Sequence, residues 1–296
     1  MMEWFRCPDD VIHPIKDCLT KCRMAERCLT LPTLTLISEE RVWSGKASTT
    51  QLLNGTMLEF LKLTQPYVVD PDKRAFLIAG IKHHANLDEV AKAINLPSEV
   101  ALSIDRDIFD LLEPEVGMWT LTDYKLWGSY KIARVLGIVE VGKKPDPTGA
   151  VYKSSGKWGK AGEPKMVPVF MQIAGEADNW ETELQLNRYS IMLEERGIQI
   201  GKMQVQATVR DGNTSIAISR GVVRNIYKIP VRRLSTQFVL DYFKAKEQDL
   251  AMALSTNHWD IPCNAKECWD GVRCRDYCEV ARNCPKGLLY INKEAE

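Results

Sequence analysis

A mixed fold of the α/β (α+β) class is what this sequence predicts, and three observations predict it. Segments with a helical apolar period alternate along the middle of the chain with segments of strand period. The composition, 45% hydrophobic and 26% charged over 296 residues, is that of a chain able to bury a core. The nine cysteines stand only at the ends, none between Cys28 and Cys263. The chain is therefore read as a cysteine-rich segment at 1–45, a core at 46–255, and a second cysteine-rich segment at 256–296 that packs with the first.

The elements follow in order. Residues 48–64, STTQLLNGTMLEFLKLT, open on Ser/Thr and place Leu52, Leu53, Met57, Phe60 and Leu61 at helical spacing, which predicts a core-facing helix. A second helix is expected over 74–94, RAFLIAGIKHHANLDEVAKAI, with His83 and His84 near its middle. Over 101–125 the period shortens to two and a turn stands at Pro114 to Gly117, which predicts a hairpin. Residues 140–165 are rich in Gly, Lys and Pro and read as a loop or insertion. A helix is expected over 179–197, where Leu184, Tyr189, Ile191 and Met192 share a period and Gly197 supplies a stop. Residues 203–222, MQVQATVRDGNTSIAISRGV, read as a second hairpin about Asp211-Gly212, and 235–254 as a last amphipathic helix.

The formal net charge is +0, so no global field draws polyanions and any basic surface must be local. One stretch, 125–165, carries Lys131, Arg134, Lys143, Lys144, Lys153, Lys157 and Lys160, interleaved with Trp127, Tyr130, Tyr152 and Trp158. Cations for phosphates and rings for bases suit a strand of nucleic acid; a solvated Lys-rich loop is the competing reading. No apolar run approaches the roughly 18 residues of a membrane helix, and MMEWFRCPDD has neither a basic n-region nor an apolar h-region. No membrane partner and a cytoplasmic location are expected.

The cysteines repeat one spacing. C-x3-C-x5-C occurs in CLTKCRMAERC, with Cys18, Cys22 and Cys28, and again in CRDYCEVARNC, with Cys274, Cys278 and Cys284. Cys7, Cys263 and Cys268 complete the set. Thiolates so spaced on a turn can point at one centre, while an odd count without a secretion signal argues against a disulfide framework. Metal binding follows, as zinc or as an iron–sulfur cluster.

The hairpin places chemistry. Residues two apart on a strand share a face, so Asp123 and Lys125 point together, and Asp110 lies across the turn on the partner strand. Two close carboxylates repel unless a cation sits between them, and oxygen donors suit Mg2+ or Mn2+. Such an ion polarises a phosphoryl oxygen and activates water, and a lysine stabilises the charge that develops. An exposed ion pair is the plainer alternative.

The pattern Asp110, Asp123-Tyr124-Lys125 across a hairpin resembles the signature of the PD-(D/E)XK nucleases. GIKHH, with Gly80 and His84 ahead of it, and QLNRY, with Gln185 and Tyr189 after it, resemble the added motifs of the RecB-type branch. That resemblance implies a restriction-endonuclease-like core, a central mixed sheet flanked by helices. It also implies metal ligation by His84, Asp110 and Asp123, assistance to the nucleophile by Lys125, and positioning by Gln185 and Tyr189. The trailing cysteines further resemble the four-cysteine exonucleases of that branch, among them CRISPR-adaptation and phage exonucleases, which implies a [4Fe-4S] cluster on Cys274, Cys278 and Cys284. Cys28 is its nearest leading ligand, with Cys7, Cys18 and Cys22 as alternatives. The surplus suits a second site, perhaps zinc, drawn from Cys7, Cys18, Cys22, Cys263 and Cys268. The implied activity is exonucleolytic cleavage of DNA, from single-stranded ends, with recombination, replication or CRISPR-adaptation proteins as partners. The rival is a non-catalytic nucleic-acid-binding module with cysteine metal sites.

Overall fold

The computed structural model describes residues 1–103, 106–157 and 159–291. At the N-terminus β1 (Met2–Arg6) and β2 (Ile12–Pro14) pair antiparallel, and α1 (Ile15–Thr20) and α2 (Leu31–Ser38) follow. After α3 (Thr49–Leu53) and α4 (Thr56–Thr64), β3 (Tyr67–Val69) joins the other edge of β1 in parallel. The long α5 (Ala75–Ala93) leads into β4 (Ser98–Ser103), β5 (Arg106–Glu115) and β6 (Met118–Trp127). Then come α6 (Ser129–Leu136), a two-stranded ribbon of β7 (Ile138–Pro145) and β8 (Met166–Gln172), and α7 (Trp180–Glu194). The chain continues through β9 (Ile200–Val209), α8 (Ser215–Ile218), β10 (Ile226–Pro230), α9 (Thr236–Thr256) and α10 (Pro285–Ile291).

The main sheet has the order β10-β9-β6-β5-β4, with β6 parallel to β9 and its other neighbours antiparallel. The fold is thus a mixed α/β one, as the alternating periods predict. The β5–β6 hairpin forms where expected, with Gly117 at φ +74° closing its turn, a conformation a side chain would resist. Alternation along these strands sorts their faces. Leu112 and Leu121 point into a core with Ile132, Leu186, Leu193 and Val205, under α6 and α7. Leu111 and Tyr124 point the other way, onto Ala91 of α5.

Three expectations are corrected. The helix expected over 48–64 is two helices, because Gly55 stands at the junction and an added Cβ there would meet Cys263 Sγ at 2.2 Å. Residues 140–145 continue β7 rather than beginning a loop, and their backbone pairs with β8. The hairpin expected over 203–222 pairs differently: the partner of β9 is β10, and the residues between carry α8, capped by Thr214 accepting from Ala217 N–H at 3.2 Å. Trp158 of the basic stretch lies outside the described residues.

A second core joins the chain ends. Met2, Phe5 and Cys18 are buried with Leu58 and Leu61 of α4, Val239 and Phe243 of α9, and Val280 and Cys284. Polar ties reinforce it: Glu279 meets Lys62 at 2.7 Å and Arg74 at 3.4 Å, and Asn283 donates to the Pro66 carbonyl at 3.1 Å. No helix among the described residues is long and apolar enough to cross a membrane.

Candidate active site

The ladder of β5 and β6 runs to Leu111 opposite Thr122, so Asp110 and Asp123 are the next residues on each strand. Both are buried, on the face that carries Leu112 and Leu121. Lys125 shares that face two residues on, and its Nζ donates to Asp123 Oδ1 at 2.8 Å. Oδ2 is equally close to the ammonium but outside hydrogen-bonding angle, and it has no other partner among the described residues. Asp110 Oδ2 accepts from the Tyr124 N–H at 2.6 Å.

His84 approaches from α5. Its Nδ1 lies 3.5 Å from Asp110 Oδ2 and 3.4 Å from Glu99 Oε1. One donor atom each from His84, Glu99 and Asp110 falls within 4.8 Å of the others, the one such convergence among the described residues. Glu99 is the residue that sequence reasoning missed. It is a single glutamate at the start of β4, held at φ +49°, and neither period nor spacing marks it.

The electrostatics follow from that crowding. Asp110, and after it Glu99, push the His84 imidazole up to about 10. Burial pushes the Asp123 carboxyl up to about 6, against the pull of Lys125 and with the push of Asp110. Burial alone would lower Lys125, but Asp123 and Asp110 outweigh it and hold the ammonium above its ordinary value. From α7, Gln185 Nε2 donates to Tyr189 Oη at 3.5 Å. Burial raises the Tyr189 hydroxyl, and Asp107, Asp123 and Asp110 add to the shift, which places it in the field of the site. All six expected residues, His84, Asp110, Asp123, Lys125, Gln185 and Tyr189, therefore gather in one region. Gly80 has no such steric reason, since an added Cβ would meet nothing within 4 Å.

The donor set fits a hard divalent cation. Carboxylate oxygens from Asp110 and Glu99 with one imidazole nitrogen from His84 are donors of a kind Mg2+ and Mn2+ accept, and Asp123, the other expected ligand, is not among the three that converge. Asp123 Oδ2, buried and without a hydrogen bond, is charge-paired with the Lys125 ammonium at 2.8 Å.

Other expected residues lie elsewhere. In the basic stretch Lys131 is engaged, 3.7 Å from Glu181 and over the Trp127 ring, and Arg134 pairs with Asp178. Lys143, Lys144, Lys153, Lys157 and Lys160 are exposed on the β7–β8 ribbon and its tip. The cysteines gather by chain end. The Cys18 thiol, raised by burial, also feels Cys22, Cys28 and Cys7. Burial pushes Cys274 up to about 11, and Cys268, Cys278 and Cys284 add to it. Cys263, likewise about 11, feels Cys284 and Cys274, and Cys278 feels Cys263 and Cys284. Cys28, expected beside the C-terminal triplet, stands with the N-terminal thiols, while Cys263 and Cys268 stand with the triplet.

No family model matches the chain, and no curated protein matches it. Among solved structures, one titled "Crystal structure of SSO0001" is similar, with a TM-score of 0.39 and 12% identity over 86% of this chain and 93% of that one. Nothing about the site follows from a likeness so slight.

Proposed function

We propose that this chain is a Mg2+- or Mn2+-dependent deoxyribonuclease that hydrolyses phosphodiester bonds. The observation that carries the reading is the buried Asp123, paired with Lys125 and lying beside Asp110, which His84 and Glu99 approach. A divalent ion bound there would supply a polarised phosphoryl oxygen and a water of lowered pKa. The chain's own residues do the rest. Asp110 and Glu99 would offer oxygens to the ion and His84 its Nδ1 once its proton is lost, and by the motif resemblance Asp123 would join them. Lys125 Nζ, next to the carboxylates, is placed to stabilise negative charge on the attacked phosphate. Gln185 and Tyr189, joined at 3.5 Å on α7, would position the site.

By the resemblance in motif order, the finer reading is an exonuclease working from single-stranded ends, in DNA recombination, repair, phage replication or CRISPR adaptation. The exposed lysines of the β7–β8 ribbon suit backbone contacts with DNA. The iron–sulfur reading carries over onto Cys274, Cys278 and Cys284, with Cys263 as the fourth thiol by its place among them. Such a centre would fasten the C-terminal segment to α4 and α9 rather than take part in hydrolysis.

The test is cleavage of end-labelled single- and double-stranded DNA with Mn2+ by anaerobically purified protein. A ladder growing from one end, absent for Asp123→Ala, is the expected result. Binding without cleavage by folded, metal-replete wild type would leave the nucleic-acid-binding module as the surviving reading.

A further inference from the structure

Cys7, Cys18, Cys22 and Cys28 are brought to one place by contacts that involve little sulfur chemistry. Cys7 follows β1 in a closed turn: its N–H donates to Val11 O at 2.8 Å, its carbonyl accepts from Asp10 N–H at 2.9 Å, and Asp10 sits at φ +63°. Arg23, next to Cys22, grips both oxygens of Asp9 in that turn at 2.9 and 2.7 Å. Arg27, next to Cys28, donates to the carbonyl of Cys18 at 2.6 Å and reaches those of Leu19 and Thr20 at 3.5 and 3.4 Å, capping the end of α1. One arginine thus ties Cys22 to the Cys7 turn, and the other ties Cys28 to Cys18.

Between α1 and α2 the chain has neither helix nor strand, and half of its side chains are polar or charged. Two surface arginines are thin support for such a segment. Yet Cys7 and Cys18 are buried, and Arg23 and Arg27 hold Cys22 and Cys28 beside the segments that carry those two. No three of these sulfurs lie within 4.8 Å of one another, so the site would close only on binding an ion. Four thiolates around one tetrahedral centre, each at about 2.3 Å, is the arrangement structural Zn2+ takes. We propose that Cys7, Cys18, Cys22 and Cys28 form a self-contained structural zinc site that orders residues 7–28, separate from the C-terminal cysteines. It depends on nothing assumed about hydrolysis.

The test uses the full chain. Metal content of anaerobically purified protein is measured for wild type, Cys22→Ser and, as control, Cys278→Ser. The expected result is about one zinc per chain in wild type and in Cys278→Ser, lost in Cys22→Ser. Wild type is also alkylated under native conditions and the labelled cysteines mapped. Cys28 is exposed and Cys22 half-buried, so free thiols there would label at once. Labelling of both only after a chelator strips zinc is expected, and this arm needs no variant that must fold. Three results would overturn the proposal: immediate labelling of Cys28, zinc retained in Cys22→Ser, or loss of iron and sulfide instead of zinc.

Discussion

Lys125 and Asp110 do opposite things to the same carboxylate. The ammonium stabilises the charged form of Asp123, and Asp110 opposes it from the facing strand. Lys125→Ala should therefore lower cleavage by about 10²–10³-fold, the scale of removing one charge-stabilising donor, in the end-labelled DNA assay. Asp110→Asn tests the ion without relying on turnover. An amide oxygen can still accept from the Tyr124 N–H, so the fold is kept, but the anionic ligand is gone. Mn2+ should raise the wild-type melting temperature, by the equivalent of about 2.7 kcal/mol at a hundred times its Kd, and leave that of Asp110→Asn nearly unmoved. An equal rise in both would remove Asp110 from the ligand set. At this scale the sequence was informative where residues recur in order: a carboxylate, a turn, then Asp-Tyr-Lys can be read from spacing alone. Glu99 could not be read, because its place beside His84 is created by strand β4 folding against α5.

Helix α6 shows how an element can depend on a residue far along the chain. Its first turn is capped by Asp211, which accepts from Ser129 N–H and from Ser129 Oγ, both at 2.6 Å. Asp211→Ala should cost about 1 kcal/mol, as loss of an N-cap does, read as a shift in denaturation midpoint. Burial would raise this carboxyl, but the Ser129 bonds outweigh it and hold it below its ordinary value. Its contribution is thus complete above the ordinary carboxyl range near about 4 and is lost as pH falls through the depressed folded value. Stabilities of wild type and Asp211→Ala should converge in acid. The same aspartate explains a misreading. Asp-Gly between alternating runs signals a two-residue hairpin, but here the carboxylate is engaged by α6, and Gly212 lies against Asn225, just before β10. Local turn chemistry was legible, whereas the helix it serves was not.

Across the whole molecule, the ends are held by a core rather than by a simple tether. Glu279 bridges Lys62 and Arg74 beside buried Phe5, Tyr67 and Val280. Its two cations are each less than a third exposed, so Glu279→Ala should cost about 1 kcal/mol, checked by urea denaturation. A fall in cleavage without a fall in stability would mean this contact acts on the site instead. Repeated cysteine spacing predicts a metal at both ends. It could not say how the nine thiols divide, because Arg23–Asp9 and Arg27–Cys18, which sort them, are tertiary contacts between residues of no shared motif.

The parallel pairing of β6 with β9 has a consequence for when the candidate site is complete. The strand bearing Asp123 and Lys125 is buried on one side by a strand that begins only at Ile200, and by α7 just before it. A ribosome that has made residues 1–127 has made every group of the reacting centre save Gln185 and Tyr189, yet none has its wall. On the proposed reading, a nascent or truncated chain that ends before residue 209 would lack that wall and leave DNA uncut.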